Sequence, residues 1–328
     1  MDIWRKIKNN AEKEKRPILL LAPMADVTDA AFRKIIAKYG KPDAMWTEFV
    51  SADGLMLADK KGKEKLLKDL AYDKEERPII AQLFGANPET MEEAAALVND
   101  LGFDGLDINM GCPDRSVEKQ GAGAALIKNP KLAREIIRAA KRGAKNIPVS
   151  VKTRLGYNKD ELETWLSELL AEDPAAITVH ARTRKEMSKV PAKWERVRRA
   201  VEIRDEVGSG TLIFGNGDVA DIAAARAKSR ESGADGAMLG RAIFGNPYLF
   251  NDKQTMADLD IQKRLGIMVE HTRLFEELLG DTKSFAIMKK HYKCYVTGWD
   301  GAKELRVQLF ETNNSAEVEK VVQDYLKL

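Results

Sequence analysis

TLIFGNGDVADIAAARAKSRESGADGAMLGRA, residues 211–242, holds one full turn of the pattern that decides the fold. A β-branched and apolar run at 211–218 gives way to a helix-forming stretch at 219–232, and a second apolar run follows at 236–242. Short apolar runs separated by longer amphipathic segments are the signature of βα units and a parallel sheet. Working back toward the N-terminus, the same alternation places strands at 18–25, 44–50, 79–85, 105–111, 149–156 and 176–182, which brings the count to eight. Helices are expected at 29–39, 88–101, 130–142, 159–171 and 194–207, with the connection at 52–72 the least regular. Eight strands over this length predict an α/β fold of the (β/α)8 TIM-barrel type, because an open doubly wound sheet normally has fewer.

After Phe250 the strand signals stop. Segments 261–280, 284–297, 301–311 and 315–328 read as helices with short breaks, so the expected organisation is a barrel domain over 1–250 followed by a small all-helical domain over 251–328. A chain of 328 residues suits this division, since single cores stop growing at roughly 250–300 residues. Apolar residues make up 44% and charged residues 32%, enough for a core and a soluble surface. No apolar stretch approaches the roughly 20 residues that span a bilayer, and residues 1–16 lack the apolar core of a signal peptide; a cytoplasmic protein is expected.

Two cysteines, Cys112 and Cys294, are too few for a disulfide framework. They also lack metal-ligand spacing with His180, His271 and His291, so no metal is expected. A net charge of +3 does not by itself announce a nucleic-acid partner, because phosphate binding needs only a local stripe of Lys and Arg.

Barrels of this type carry their chemistry at the C-terminal strand ends. Here those ends are polar: Pro23-Met24-Ala25, Gln82, Asn109-Met110-Gly111-Cys112, Lys152-Thr153-Arg154, His180-Ala181-Arg182, Asn216-Gly217-Asp218 and Gly240-Arg241. Gly217 and Gly240 let backbone N–H groups approach an anion after the last two strands, where such barrels commonly hold phosphate, and Arg241 adds a fork of donors. Lys152 is placed to stabilise negative charge on an electron-rich ring, and His180 lies one strand away on the same rim. Cys112 sits between a glycine and a proline where a strand breaks into a loop, a location for an acid or a nucleophile. Cys294, within a helical run, is expected to be structural.

These strand ends, taken in order, resemble the tRNA-dihydrouridine synthase family. The resemblance runs from Leu21-Ala22-Pro23-Met24-Ala25-Asp26 through Thr47-Glu48-Phe49-Val50, Gln82-Leu83-Phe84-Gly85 and Asp107-Ile108-Asn109-Met110-Gly111-Cys112-Pro113. It continues through Val151-Lys152-Thr153-Arg154, His180-Ala181-Arg182-Thr183-Arg184, Gly215-Asn216-Gly217-Asp218 and Gly240-Arg241-Ala242, most of residues 18–250. The family resemblance implies bound FMN, held by Pro23, Met24, Ala25, Gln82, Lys152, His180, Asn216, Gly217, Asp218, Gly240 and Arg241, and Cys112 as catalytic acid. It further implies that NADPH or NADH reduces FMN, that hydride passes to C6 of a flipped-out uridine of tRNA, and that Cys112 protonates C5. Asn109, Arg154, Arg182 and Arg184 would meet the substrate, and the enzyme is expected to be a monomer. No Gly-x-Gly-x-x-Gly nicotinamide fingerprint occurs, so the reductant is expected to visit only transiently.

Residues 182–204 carry nine Lys or Arg against three Glu, a local +6 that either attracts phosphate or is a solvated helix face. The tail is balanced over 251–328, so RNA contact there would need a local patch such as Lys289, Lys290 and Lys293 beside Tyr292 and Tyr295. Lys185-Glu186-Met187-Ser188-Lys189 departs from the Gln-Gly-Tyr-Ser-Gly-like stretch of many relatives, which bears on the choice of uridine rather than on the chemistry. Three other readings stay open on the residues: a flavin reductase of a free pyrimidine or enone, a flavin-free aldolase or isomerase with Lys152 as Schiff base, and an inactive RNA-binding module.

Overall fold

The structure, a computed structural model, describes residues 3–327. Eight parallel strands close into a barrel in chain order: β1 (Ile18–Leu21), β2 (Ala44–Ser51), β3 (Ile79–Phe84), β4 (Gly105–Met110), β5 (Val149–Arg154), β6 (Ala176–His180), β7 (Leu212–Asn216) and β8 (Gly236–Leu239). β1 pairs with both β2 and β8, so no sheet edge is left. The observed strands mostly stop short of the apolar runs that predict them, and the difference falls at the C-terminal ends. Residues 22–25, 181–182 and 217–218 have left the ladder; Gly217 at φ +120 and Asp218 at φ 48 occupy backbone conformations that a strand does not use. Those released residues form the rim of the barrel.

The connecting helices are Ala30–Tyr39, Pro88–Asp100, Pro130–Ala144, Leu162–Leu170, Trp194–Glu206 and Ile222–Ser232. Asn87-Pro88 and Asn129-Pro130 start two of them in the same way: the Asn side chain caps a free N–H and proline takes the first helical position. The irregular stretch at 52–72 resolves into two helices, Ala52–Leu57 and Lys60–Asp69, capped by Ser51 and Asp59.

An unanticipated helix, Ile3–Lys13, closes the N-terminal end of the barrel. Trp4, Ile7 and Ala11 are buried, with the Trp4 ring 5.3 Å from Phe214 and 6.1 Å from Trp46. Beyond residue 250 the helices Ile261–Leu279, Met288–Tyr295, Ala302–Glu311 and Ser315–Tyr325 pack on one another and on helix Ala30–Tyr39. Phe32 stacks on His271 and meets the edge of His291, each at 4.8 Å, and Lys38 and Tyr39 both bond Glu270 at 2.6 Å. One apolar cluster runs from Leu19 of β1 to Val322 of the last helix. No helix among the described residues is long and apolar enough to cross a membrane.

Candidate functional site

The register of the strands brings the polar ends together. His180 pairs with Arg154 on one side and with Asn216 on the other; Lys152 pairs with Asn109. Lys152, His180 and Asn216 border a cavity of about 660 Å³ at the C-terminal mouth, within the size range of small-molecule and cofactor sites. Pro23, Met24, Lys152, His180, Asn216, Gly217, Asp218, Gly240 and Arg241 line it, as do Arg182, Ser188 and Met238. Ala25 lies exposed in the loop outside it, and Gln82 is fully buried beneath. A larger hollow of about 960 Å³ lies beside helix Ile3–Lys13, but its walls are surface ion pairs such as Lys8 with Asp235 and Arg226 with Asp252, and no C-terminal strand end reaches it.

Beneath the mouth a chain of hydrogen bonds runs across three strands. Ser150 Oγ donates to Asp107 Oδ1 at 2.6 Å, and Gln82 Nε2 donates to Asp107 Oδ2 at 2.6 Å. Asn109 Nδ2 donates to Gln82 Oε1 at 3.0 Å, and Asn109 Oδ1 accepts the backbone N–H groups of Gly111 and Cys112 at 3.1 and 2.9 Å. A carboxylate only accepts, so Asp107 turns the Gln82 NH2 toward itself, which fixes the Asn109 amide in turn. Burial pushes Asp107 up to about 6, against the pull of the Ser150 and Gln82 bonds and of the Lys152 charge, so it remains mostly ionised at neutral pH. Asp107 stands in the sequence only as part of the 107–113 stretch, without a role, and Ser150 is not singled out there, because both lie inside the strands; only the register joins them to the strand-end residues.

The Cys112 thiol is half-buried, and burial raises its pKa above the ordinary value. Among the described residues it has no hydrogen bond to a base. Such a thiol stays protonated, which suits a proton donor better than a nucleophile. It packs with Phe49, Phe84 and Val117, and the Phe49 and Phe84 rings meet edge to face at 5.7 Å. Lys152 has no protein hydrogen-bond partner among the described residues; burial, helped by the Arg154 charge, lowers it to about 8, so it is mostly a cation at pH 7. Burial, then the charges of Arg154, Lys152, Arg182 and Arg241, drives His180 well below its usual value, leaving a neutral imidazole. Its Nε2 lies 3.2 Å from Arg182 Nη1 and is best assigned as the acceptor.

The arginines are largely committed within the chain. Arg154 donates to the carbonyls of Gly111, Thr183 and Met187 at 2.7, 3.1 and 3.1 Å, tying the loop after β4 to the loop after β6. Arg182 is buried, pairs with Asp218 and donates to Val190 O at 2.5 Å; Arg184 pairs with Glu118 over the Tyr157 ring. Asp218 also meets Arg241 at 3.2 Å, and Arg241 itself is 70% exposed in its side chain.

The +6 stretch at 182–204 mostly turns out to be a solvated, ion-paired face. Arg196 pairs with Asp160 and Glu163, Arg199 with Glu202 and Glu206, Arg204 with Asp205 and Asp235, and Lys193 with Glu186. Tyr292 and Tyr295 are core residues, 0% and 2% exposed, and offer no ring to a base. Cys294 is half-buried in its helix, and among the described residues no group of three or more His, Cys, Asp or Glu could hold a metal ion.

The residues at the mouth fit a phosphorylated flavin. The cavity holds an unpaired cation, and two glycine turns lie on adjacent strands. Gly217 is held open by its positive φ, and an added Cβ would sit 2.9 Å from Ala192. Trp194 Nε1 donates to Gly217 O at 2.8 Å and fixes the turn.

A closed parallel barrel with a polar mouth, a cation-lined cavity and a protonated thiol beside it defines a (β/α)8 enzyme scaffold with a cofactor-sized site. The chain belongs to the dihydrouridine synthase (Dus) family, whose pattern it matches over residues 20–328. It is 39% identical over 312 residues to a "Probable tRNA-dihydrouridine synthase" of Staphylococcus epidermidis, covering 94% of each chain. It is 38% identical over 326 residues to "Probable tRNA-dihydrouridine synthase 2" of Bacillus subtilis, covering 99% of this chain and 96% of the relative. Among solved structures, morphinone reductase in complex with tetrahydroNAD shares the fold at a TM-score of 0.50 and 14% identity, over 71% of this chain and 85% of that one.

Proposed function

We propose that the chain is a tRNA-dihydrouridine synthase that uses FMN, with NADPH or NADH as reductant. The observation that carries the proposal is the meeting, at one barrel mouth, of a cavity with an unpaired cation and a protonated thiol without a base. The activity in the names of both bacterial relatives supports it. FMN, when bound, supplies the reducing equivalents for the 5,6 double bond of uracil. Pro23, Met24, Lys152 and His180 would hold its ring, with Ala25 in the loop outside and Gln82 beneath, its amide taken by Asp107 and Asn109; Asn216, Gly217, Gly240 and Arg241 would meet its phosphate end, with Asp218 orienting Arg241.

Cys112 gives its proton to C5 of the uracil. The thiolate left behind is stabilised by the charges of Lys152 and Arg154, both of which favour the ionised sulfur. Asn109 holds the backbone that carries Cys112, while Arg154, Arg182 and Arg184 shape the substrate side by fixing the loops after β4 and β6. The base must leave its stack to reach this depth. In this proposal the barrel, residues 1–250, binds flavin, and residues 251–328 contact tRNA; residues 1–2 and 328 lie outside the described structure. The enzyme acts as a cytoplasmic monomer without a metal.

The test is anaerobic: the FMN-loaded protein, reduced with NADPH, is mixed with tRNA lacking dihydrouridine or with free uridine monophosphate. Return of the oxidised flavin spectrum with tRNA supports the proposal. Return only with the free nucleotide would replace it by a small-molecule reductase.

A further inference from the structure

The ion pairing of residues 194–206 leaves open which surface receives the RNA backbone. We propose that it is the lysine face of helix Lys60–Asp69, continued onto the adjoining C-terminal helices. The proposal rests on the tRNA reading above.

The helix carries five lysines in ten residues, and none of its residues is buried. Core packing therefore does not account for its composition. Lys60, Lys61, Lys63 and Lys65 have no ion pair or side-chain hydrogen bond among the described residues. The helix's two acids are Glu64 and Asp69, and Asp69 is taken by Lys283 at 3.2 Å. Four lysines outside any ion pair, against the single remaining acid Glu64, suit a polyanion, whose counterions their binding would release.

The position is as telling as the charge. Leu66 packs over Gly54 of helix Ala52–Leu57, which begins directly where β2 ends at the barrel mouth. Lys68 pairs with Asp281, so the lysine face adjoins the C-terminal helices. Lys283 also bonds Glu48, which accepts the Asp26 N–H in the loop after β1, and Lys290 lies 3.7 Å from Asp26. Through Asp69, Lys283 and Glu48 the lysine helix is thus tied to the loop after β1, on the β2 side, while Cys112 follows β4 and packs with Phe49 of β2. Leu57, 71% exposed beside Lys60 and Lys61, adds an apolar contact suited to ribose or a base. A protein partner would need a broader apolar surface than this helix offers.

The test combines Lys60→Gln, Lys61→Gln, Lys63→Gln and Lys65→Gln in the full-length protein, with Lys61→Gln plus Lys65→Gln as a milder variant and Arg196→Gln plus Arg199→Gln as control. The affinity for tRNA lacking dihydrouridine is measured against salt, and KM and kcat are measured on the same tRNA. With most of the four lysines on phosphates, binding weakens about tenfold or more and the log–log salt slope falls by about 3. KM rises in step, kcat stays within about twofold, and the milder variant falls between. Unchanged binding and slope in the quadruple variant would overturn the assignment, as would an equal loss in the control. A wild-type protein that binds tRNA through these lysines yet never reduces it would remove the proposed function and leave the surface standing.

Discussion

Asn109 holds Cys112 through one atom: its side-chain oxygen accepts the Cys112 backbone N–H at 2.9 Å, and that of Gly111 at 3.1 Å. The position of the thiol therefore depends on an amide that is itself oriented by Gln82 and, behind it, by Asp107. Asn109→Ala strands two N–H groups and the Gln82 oxygen, a loss of about 1–3 kcal/mol in stability. Denaturant unfolding would show that loss, and single-turnover reduction of tRNA would slow by about tenfold or more. Asn109→Asp sets a carboxylate oxygen against Gln82 Oε1 and fails similarly, whereas flavin retention survives in both.

Lys152 predicts a pH dependence. Its pKa lies near 8 rather than 10.5, so the cation that faces the cavity disappears as pH rises through about 8. Flavin affinity, followed by equilibrium dialysis, falls over that interval in the wild type and is flat in Lys152→Met. Stability moves the other way in the flavin-free protein. The unfolded chain keeps the proton up to 10.5 while the folded one has released it, so folding gains between about 8 and 10.5. Lys152→Met removes that gain in thermal melts.

Lys283 and Glu48 form a buried pair at 2.5 Å, with side chains 11% and 7% exposed. Lys283→Met takes the cation from both Glu48 and Asp69, and costs about 3–5 kcal/mol by denaturant unfolding. Adding Glu48→Gln recovers part of that loss, because the amide oxygen still accepts the Asp26 N–H while Asp69 stays without its partner. A double variant no more stable than Lys283→Met would show that the pair is not the source.

Trp4 fills the closed end of the barrel against Trp46 and Phe214. Trp4→Ala costs about 3–5 kcal/mol, the usual range for deleting a large buried ring. Because the chemistry is at the other end, flavin affinity and kcat at permissive temperature stay within about twofold of wild type.

The barrel was legible because each strand is an apolar run in a chain that is otherwise a third charged, and its polar ends stand out against that background. Ten of the residues singled out at those ends line one cavity. Helix Ile3–Lys13 was missed because Trp4, Ile7 and Ala11 are interleaved with Arg5, Lys6 and Lys8, so its buried stripe is thin. Helix Lys60–Asp69 has no fully buried residue and packs only through a side chain such as Leu66, so its apolar pattern is faint. The stretch at 182–204 left two readings open for a different reason: several of its compensating acids, Asp160, Glu163 and Asp235 among them, lie outside it in sequence. Tyr292 and Tyr295 misled likewise, since only the packing of the C-terminal helices shows that they face inward. Local charge is visible in a sequence, whereas its pairing across elements is a property of the fold.

In the proposed reaction this barrel mouth reduces uridine in tRNA with Cys112 as the proton donor. Nucleoside mass spectrometry of tRNA from cells lacking dihydrouridine tests it, after incubation with FMN, NADPH and either wild-type protein or Cys112→Ala. Uridines heavier by one hydrogen pair are expected with the wild type and little or none with the variant, which still binds flavin and tRNA. Equal yields from both proteins would remove Cys112 from the chemistry, and unchanged tRNA with a flavin-loaded wild type would contradict the assigned reaction.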